Sequence, residues 1–86
     1  MIQSASWTLR EQVKFDNKHI TSTDWNSYPI FRFSEVPEVE VAILNRPEEE
    51  PLGAGEAAQG PTSAAIANAV YHATGQRIRQ MPIKLG

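Results

Sequence analysis

Two rhythms of apolar residues run along this chain. Ile2, Ala5, Ser6, Leu9 and Val13 fall on one helical face, and Ala65, Ile66, Ala69, Val70 and Ala73 repeat that spacing near the other end. Glu38-Val-Glu-Val-Ala-Ile-Leu44 alternates instead, with Val39, Val41 and Ile43 on one side and Glu38 and Glu40 on the other, which is the period of a strand. The second helix is well punctuated. Proline at a first helical position loses no hydrogen bond, so Gly60-Pro61 opens it, and Gly75 suits the left-handed residue that closes it. A helix over 61–74 follows. The first helix starts without a convincing cap, as expected of an element cut from upstream context.

Shorter elements complete the pattern. Phe15 to Asp24 reads as a turn centred on Asp16 and Asn17 that leads into a short β-branched strand. The stretch from Trp25 to Pro37 mixes aromatic residues with two prolines, and Gln76 to Pro82 alternates Ile78 and Gln80 against Arg77 and Arg79. This order predicts an α+β unit over 1–86, with a small antiparallel or mixed sheet and the two helices against one face.

Between the central strand and the second helix, an acidic linker, Arg46-Pro-Glu-Glu-Glu-Pro51, delivers the chain to Leu52-Gly-Ala-Gly-Glu-Ala-Ala-Gln-Gly60. Gly53 and Gly55 lack a Cβ, so they can take positive φ and let backbone amides approach a bound group. Ala54, Ala57 and Ala58 leave room around the Glu56 carboxylate. The loop is not a phosphate loop, because it has neither a Gly-Lys-Ser/Thr ending nor Gly-x-Gly-x-x-Gly spacing. On the residues alone Glu56 is an ordinary exposed carboxylate, the commonest state of that side chain. Glu38 and Glu40 lack a histidine or third acid at ligand spacing, so they read as a solvated face rather than a metal site.

Composition narrows the classes. An 86-residue chain with 41% apolar content and net charge −2 is of globular type, yet a unit this short leaves much surface exposed and has limited stability. The absence of cysteine excludes disulfides and thiolate-held iron–sulfur clusters within the chain. His19 and His72 are too few and too far apart in sequence to suggest a metal centre. Aromatics around Arg32 resemble a base-stacking platform, but the acidic balance opposes phosphate binding. Packing against protein suits them better. No apolar run reaches membrane-spanning length.

Pro51 to Gly75 resembles the active-site glutamate segment of molybdenum hydroxylases, the xanthine dehydrogenase and aldehyde oxidase family. The likeness is closest to the large, molybdopterin-binding subunit of the isoquinoline 1-oxidoreductase and aldehyde dehydrogenase type, and it extends to Ile2–Gln12, to Tyr28–Phe33, which resembles an extended segment of the family, and to Gln76–Pro82, which resembles the short strand that follows the helix there. Such subunits are many times longer. The resemblance therefore implies a carboxyl-terminal fragment of a catalytic subunit, part of its molybdopterin-binding domain. It implies Glu56 as general base beside the molybdenum, in hydroxylation of an aldehyde or N-heterocycle with water as oxygen source. The backbone of Gly53, Ala54 and Gly55 would face the cofactor.

The implied cofactor is molybdenum bound to molybdopterin, commonly as the cytosine dinucleotide in bacterial members. The implied partners are the remainder of the large subunit and an iron–sulfur small subunit. In this family the region like Ile2–Gln12 is a helix near the cofactor pocket, which makes Gln3 a candidate neighbour of the site, with core packing as that helix's simpler role. The isolated chain is expected to bind no cofactor, to be inactive, and to cover apolar surface by self-association. Enclosure by small apolar groups would raise the pKa of Glu56 towards a useful range, though other parts of the parent must complete that enclosure. The rival expectation is a truncated, non-catalytic interaction module.

Overall fold

A computed structural model describes residues 1–85. It contains helix α1, Ile2–Leu9, and helix α2, Gln59–Thr74, with a single 3-10 turn at Phe33–Glu35 between them. The two helices pack on each other, and long irregular segments wrap around that contact.

α1 is short because its end is pulled in. The amides of Arg10 and Glu11 both reach the Ser6 carbonyl, at 2.8 and 3.2 Å, and the Ser6 hydroxyl donates to the Glu11 carboxylate. Val13 therefore lies beyond the helix and is exposed, outside the stripe expected of it. The buried face also differs from the apolar one. Ser4, Ala5, Ser6 and Thr8 are buried, whereas Ile2 and Leu9 are 43% and 39% exposed. Ser6 and Thr8 can go inside because their hydroxyls find partners in Glu11, the Ser4 carbonyl and Ser63, and no buried side-chain nitrogen or oxygen lacks a hydrogen bond among the described residues.

α2 begins two residues ahead of the expected start, so Pro61 sits third in the helix rather than first. It still costs nothing there, since the first four amides have no partner within a helix. Gly75 ends it at φ 73°, with its amide 2.7 Å from the Tyr71 carbonyl. A side chain at that φ is strained, although the space around Gly75 is open. Gly75→Ala is accordingly expected to lower stability by about 1–2 kcal/mol, read as a lower urea midpoint, and an unchanged midpoint would contradict it. The inward row of α2 is Thr62, Ser63, Ile66, Ala67 and Val70. Ala65, Ala69 and Ala73 face outward, a shift of the expected stripe by one helical row.

The expected sheet is absent: no strand occurs among the described residues. Phe15 and Ile20 form one isolated antiparallel bridge across the Asp16–Asn17 turn, where the Asp16 carboxylate accepts the amides of Lys18 and His19 at 2.8 and 2.9 Å. Glu38–Leu44 and Gln76–Pro82 do not form strands. The physical reason is that alternation specifies one side of a pair and a strand exists only when its backbone groups meet a second strand. Among the described residues no backbone–backbone hydrogen bond involves residues 36–45, and Val41, Ile43 and Leu44 are 74%, 87% and 86% exposed.

The dimensions agree with this. The radius of gyration is 16.3 Å, against about 12 Å for a compact domain of this length. The accessible surface is 7629 Å², against roughly 5,100 Å² for a folded protein of this mass. What order there is converges on α1. Ile83, buried near the end of the chain, sends its amide 2.7 Å to the Thr8 carbonyl. Arg10 pairs with Glu35 at 2.8 Å, joining the end of α1 to the 3-10 turn. Arg77 lies 3.7 Å over the Tyr71 ring and donates to Asn68 at 2.9 Å, which folds the segment after α2 back along that helix.

Candidate active site

The loop that carries Glu56 is a lead-in to α2. Residues 51–54 have no regular structure, the chain bends at 55–56, and a turn at 57–58 passes into the helix. The amide of Gln59 reaches the Glu56 carbonyl at 3.1 Å, and that of Thr62 reaches Ala58 at 3.1 Å. These bonds couple the backbone of Glu56 to the first turn of α2. Its side chain is exposed and makes no hydrogen bond or salt bridge among the described residues. This chain alone therefore builds no wall around it.

Within this chain, neither positive φ nor crowding requires glycine at Gly53 or Gly55. Neither takes positive φ, since Gly75 alone does so among the described residues. A Cβ added at either would meet nothing within 4 Å. Gly53, Ala54 and Gly55 thus present open backbone beside Glu56, with Leu52 next to them 89% exposed. The donor set is one carboxylate and a run of bare amides. No group of three or more His, Cys, Asp or Glu side chains able to hold a metal occurs among the described residues. The arrangement fits one edge of a bulky cofactor held mainly by other protein.

Gln3 stands elsewhere, in a cleft of about 580 Å³ walled by Ile2, Trp25, Tyr28, Ile30 and Phe31. There the structure adds a network that apolar spacing does not announce. Glu11 accepts from the Tyr28 hydroxyl at 2.8 Å and from Ser6, and Ser6 Oγ in turn accepts the Phe31 amide at 3.0 Å. The bond to Glu11 raises the Tyr28 pKa above its ordinary value of 10.0, with burial and the Glu11 charge acting the same way. A raised pKa favours the neutral phenol. The stability it contributes is complete below about pH 10 and is lost as pH rises through the native value. In an ultraviolet titration Tyr28 is expected to ionise at higher pH than in its Glu11→Gln variant; coincident curves would refute the coupling.

A second missed feature is Thr8 against Ser63, whose hydroxyl oxygens meet at 2.6 Å between the helices. Its sequence signal is the pair Ser4 and Thr8, two hydroxyls one turn apart on α1.

With a glutamate on an open glycine loop before a helix, comparison with known proteins gives a class: the chain is similar, along nearly all of its length, to one short stretch of bacterial oxidoreductase subunits of the molybdenum hydroxylase type. It is 48% identical over 83 residues to a subunit of nicotinate dehydrogenase from Pseudomonas putida, covering 96% of this chain and 7% of that protein. The aldehyde oxidoreductase molybdenum-binding subunit PaoC of Escherichia coli is 37% identical, over 90% of this chain and 12% of that protein. A membrane-bound aldehyde dehydrogenase of Gluconacetobacter polyoxogenes, whose name carries pyrroloquinoline quinone, is 33% identical over 94% of this chain and 11% of that protein. The chain thus spans 7% to 12% of the length of these relatives. No protein-family profile and no solved structure matches it. Among the described residues no helix is long and apolar enough to cross a membrane.

Proposed function

We propose that these residues form the base-bearing loop and its supporting helices in a molybdopterin-dependent oxidoreductase subunit that hydroxylates an aldehyde or an N-heterocycle, with water as the oxygen source. The observation that carries this reading is the similarity over nearly the whole chain to oxidoreductase subunits, one of them named for binding molybdenum. Glu56, exposed on open backbone and without a partner among the described residues, supports it.

When bound, the molybdenum centre supplies the two-electron oxidising power. The chain's own part is proton chemistry. Glu56 accepts the proton of the attacking oxygen nucleophile at a carboxylate oxygen, a step for which a carboxylate left free of internal partners is suited. Gly53, Ala54 and Gly55 let the backbone approach the cofactor without a side chain intervening. The remaining wall, which would exclude water, belongs to other parts of the subunit. An iron–sulfur partner subunit would supply the route by which electrons leave.

The exposed Trp25, Phe33, Ile43 and Leu52 favour a second reading, a non-catalytic module that associates with protein. Metal and pterin analysis of the longest natural form of the gene product separates the two. Molybdenum and pterin near one per chain are expected. A purified natural form that contains neither would overturn the proposal and leave the interaction module.

A further inference from the structure

Among the described residues, one side-chain hydrogen bond joins α1 to α2. Thr8 and Ser63 bring their hydroxyl oxygens to 2.6 Å, at a point where Thr8 is fully buried. Proton counting gives the direction of that bond. A threonine hydroxyl has one hydrogen, and Thr8 sends it to the Ser4 carbonyl at 2.6 Å. Ser63 is therefore the donor and Thr8 the acceptor. The Thr8 carbonyl also accepts the Ile83 amide, so α1, α2 and the end of the chain are tied at one residue.

The rest of the helix contact does little to fix register. No residue of α2 is fully buried, and its half-buried positions besides Ser63 are Thr62, Ile66, Ala67 and Val70. Small, shallow apolar surfaces can slide on each other at little cost, whereas a part-buried hydroxyl pair with Thr8 fully buried has one good geometry and is costly to break. Ser63 lies two turns of chain beyond Glu56, and the Gln59 amide bond to the Glu56 carbonyl makes the turn and the helix one body. A shift of α2 along α1 would carry Glu56 with it.

We propose that Thr8 and Ser63 are a positioning pair for Glu56: their hydrogen bond sets α2 against α1 and so fixes where the carboxylate stands. This rests on the reading of Glu56 as the base. Neither residue touches the reacting atoms.

Ser63→Ala is the cleanest test, because it removes the donor while leaving the Thr8 hydroxyl bonded to Ser4. In the molybdenum-loaded subunit, at equal molybdenum occupancy, kcat is expected to fall on the order of 10- to 100-fold with KM little changed. Thr8→Val, which keeps the shape, should match it, Thr8→Ser should restore turnover, and Ser63→Ala combined with Thr8→Val should add little to either alone. A merely structural role would lower thermal stability or occupancy and leave kcat per molybdenum intact. Glu56→Gln, measured alongside, keeps the two readings apart. If it abolishes turnover while Ser63→Ala does not change it, the positioning pair is refuted and the base stands. If Glu56→Gln is fully active, the base assignment falls and the positioning role falls with it.

Discussion

Glu56→Gln in the subunit that contains these residues is expected to lower turnover per bound molybdenum by about 10²–10⁴-fold, the range associated with losing a general base. The amide keeps the size and hydrogen-bonding reach of the side chain but cannot take a proton at neutral pH. Nothing in this chain leans on the carboxylate, since Glu56 is exposed and without an internal partner among the described residues. Fold and cofactor content should therefore survive the substitution. A structural role would show the opposite pattern, with lost cofactor or lowered stability and normal turnover in the enzyme that remains. Near wild-type turnover per molybdenum would remove the catalytic assignment.

The second large effect concerns the 86-residue chain by itself. It is expected to take up no molybdenum cofactor and to oxidise neither aldehydes nor N-heterocycles. Catalysis of this kind depends on preorganised contacts from all sides of the reacting centre, and here the loop is open at Gly53 and Gly55. Apolar side chains such as Phe33, fully exposed, and Leu52 and Ile43, nearly so, are expected to drive association above monomer mass in sedimentation. Stoichiometric molybdenum together with dye-linked turnover in the pure chain would contradict the first expectation, and a strictly monomeric species at high concentration the second.

What could be read from the sequence follows a physical line. Local chemistry was legible: the Asp16 turn uses its own carboxylate, α2 stops at a left-handed Gly75, and Glu56 stands in a loop ahead of that helix. Features that need a distant partner were not. The alternation of Val39, Val41 and Ile43 states which side chains share a face, but a sheet requires a neighbour that the described residues do not supply. Hydropathy also misjudged which face of α1 goes inward. Thr8 scores as polar alone, and its burial becomes favourable only through bonds to the Ser4 carbonyl and to Ser63. For the site, the resemblance to molybdenum hydroxylases singled out the loop, whereas Ser63 had no signal of its own within α2.

The tie between Thr8 and Ser63 also constrains the order in which this structure can form. The two residues are 55 positions apart, and Ile83 lies farther still along the chain. At translation rates of about 5–20 residues per second, α1 would leave the ribosome roughly 3–11 s before its partner hydroxyl follows. A helix of 8 residues is too short to persist in water unaided. Of the two described helices, α1 is made before α2 yet gains its side-chain tie to α2 only once Ser63 has followed, and a chain interrupted before Ser63 lacks that tie.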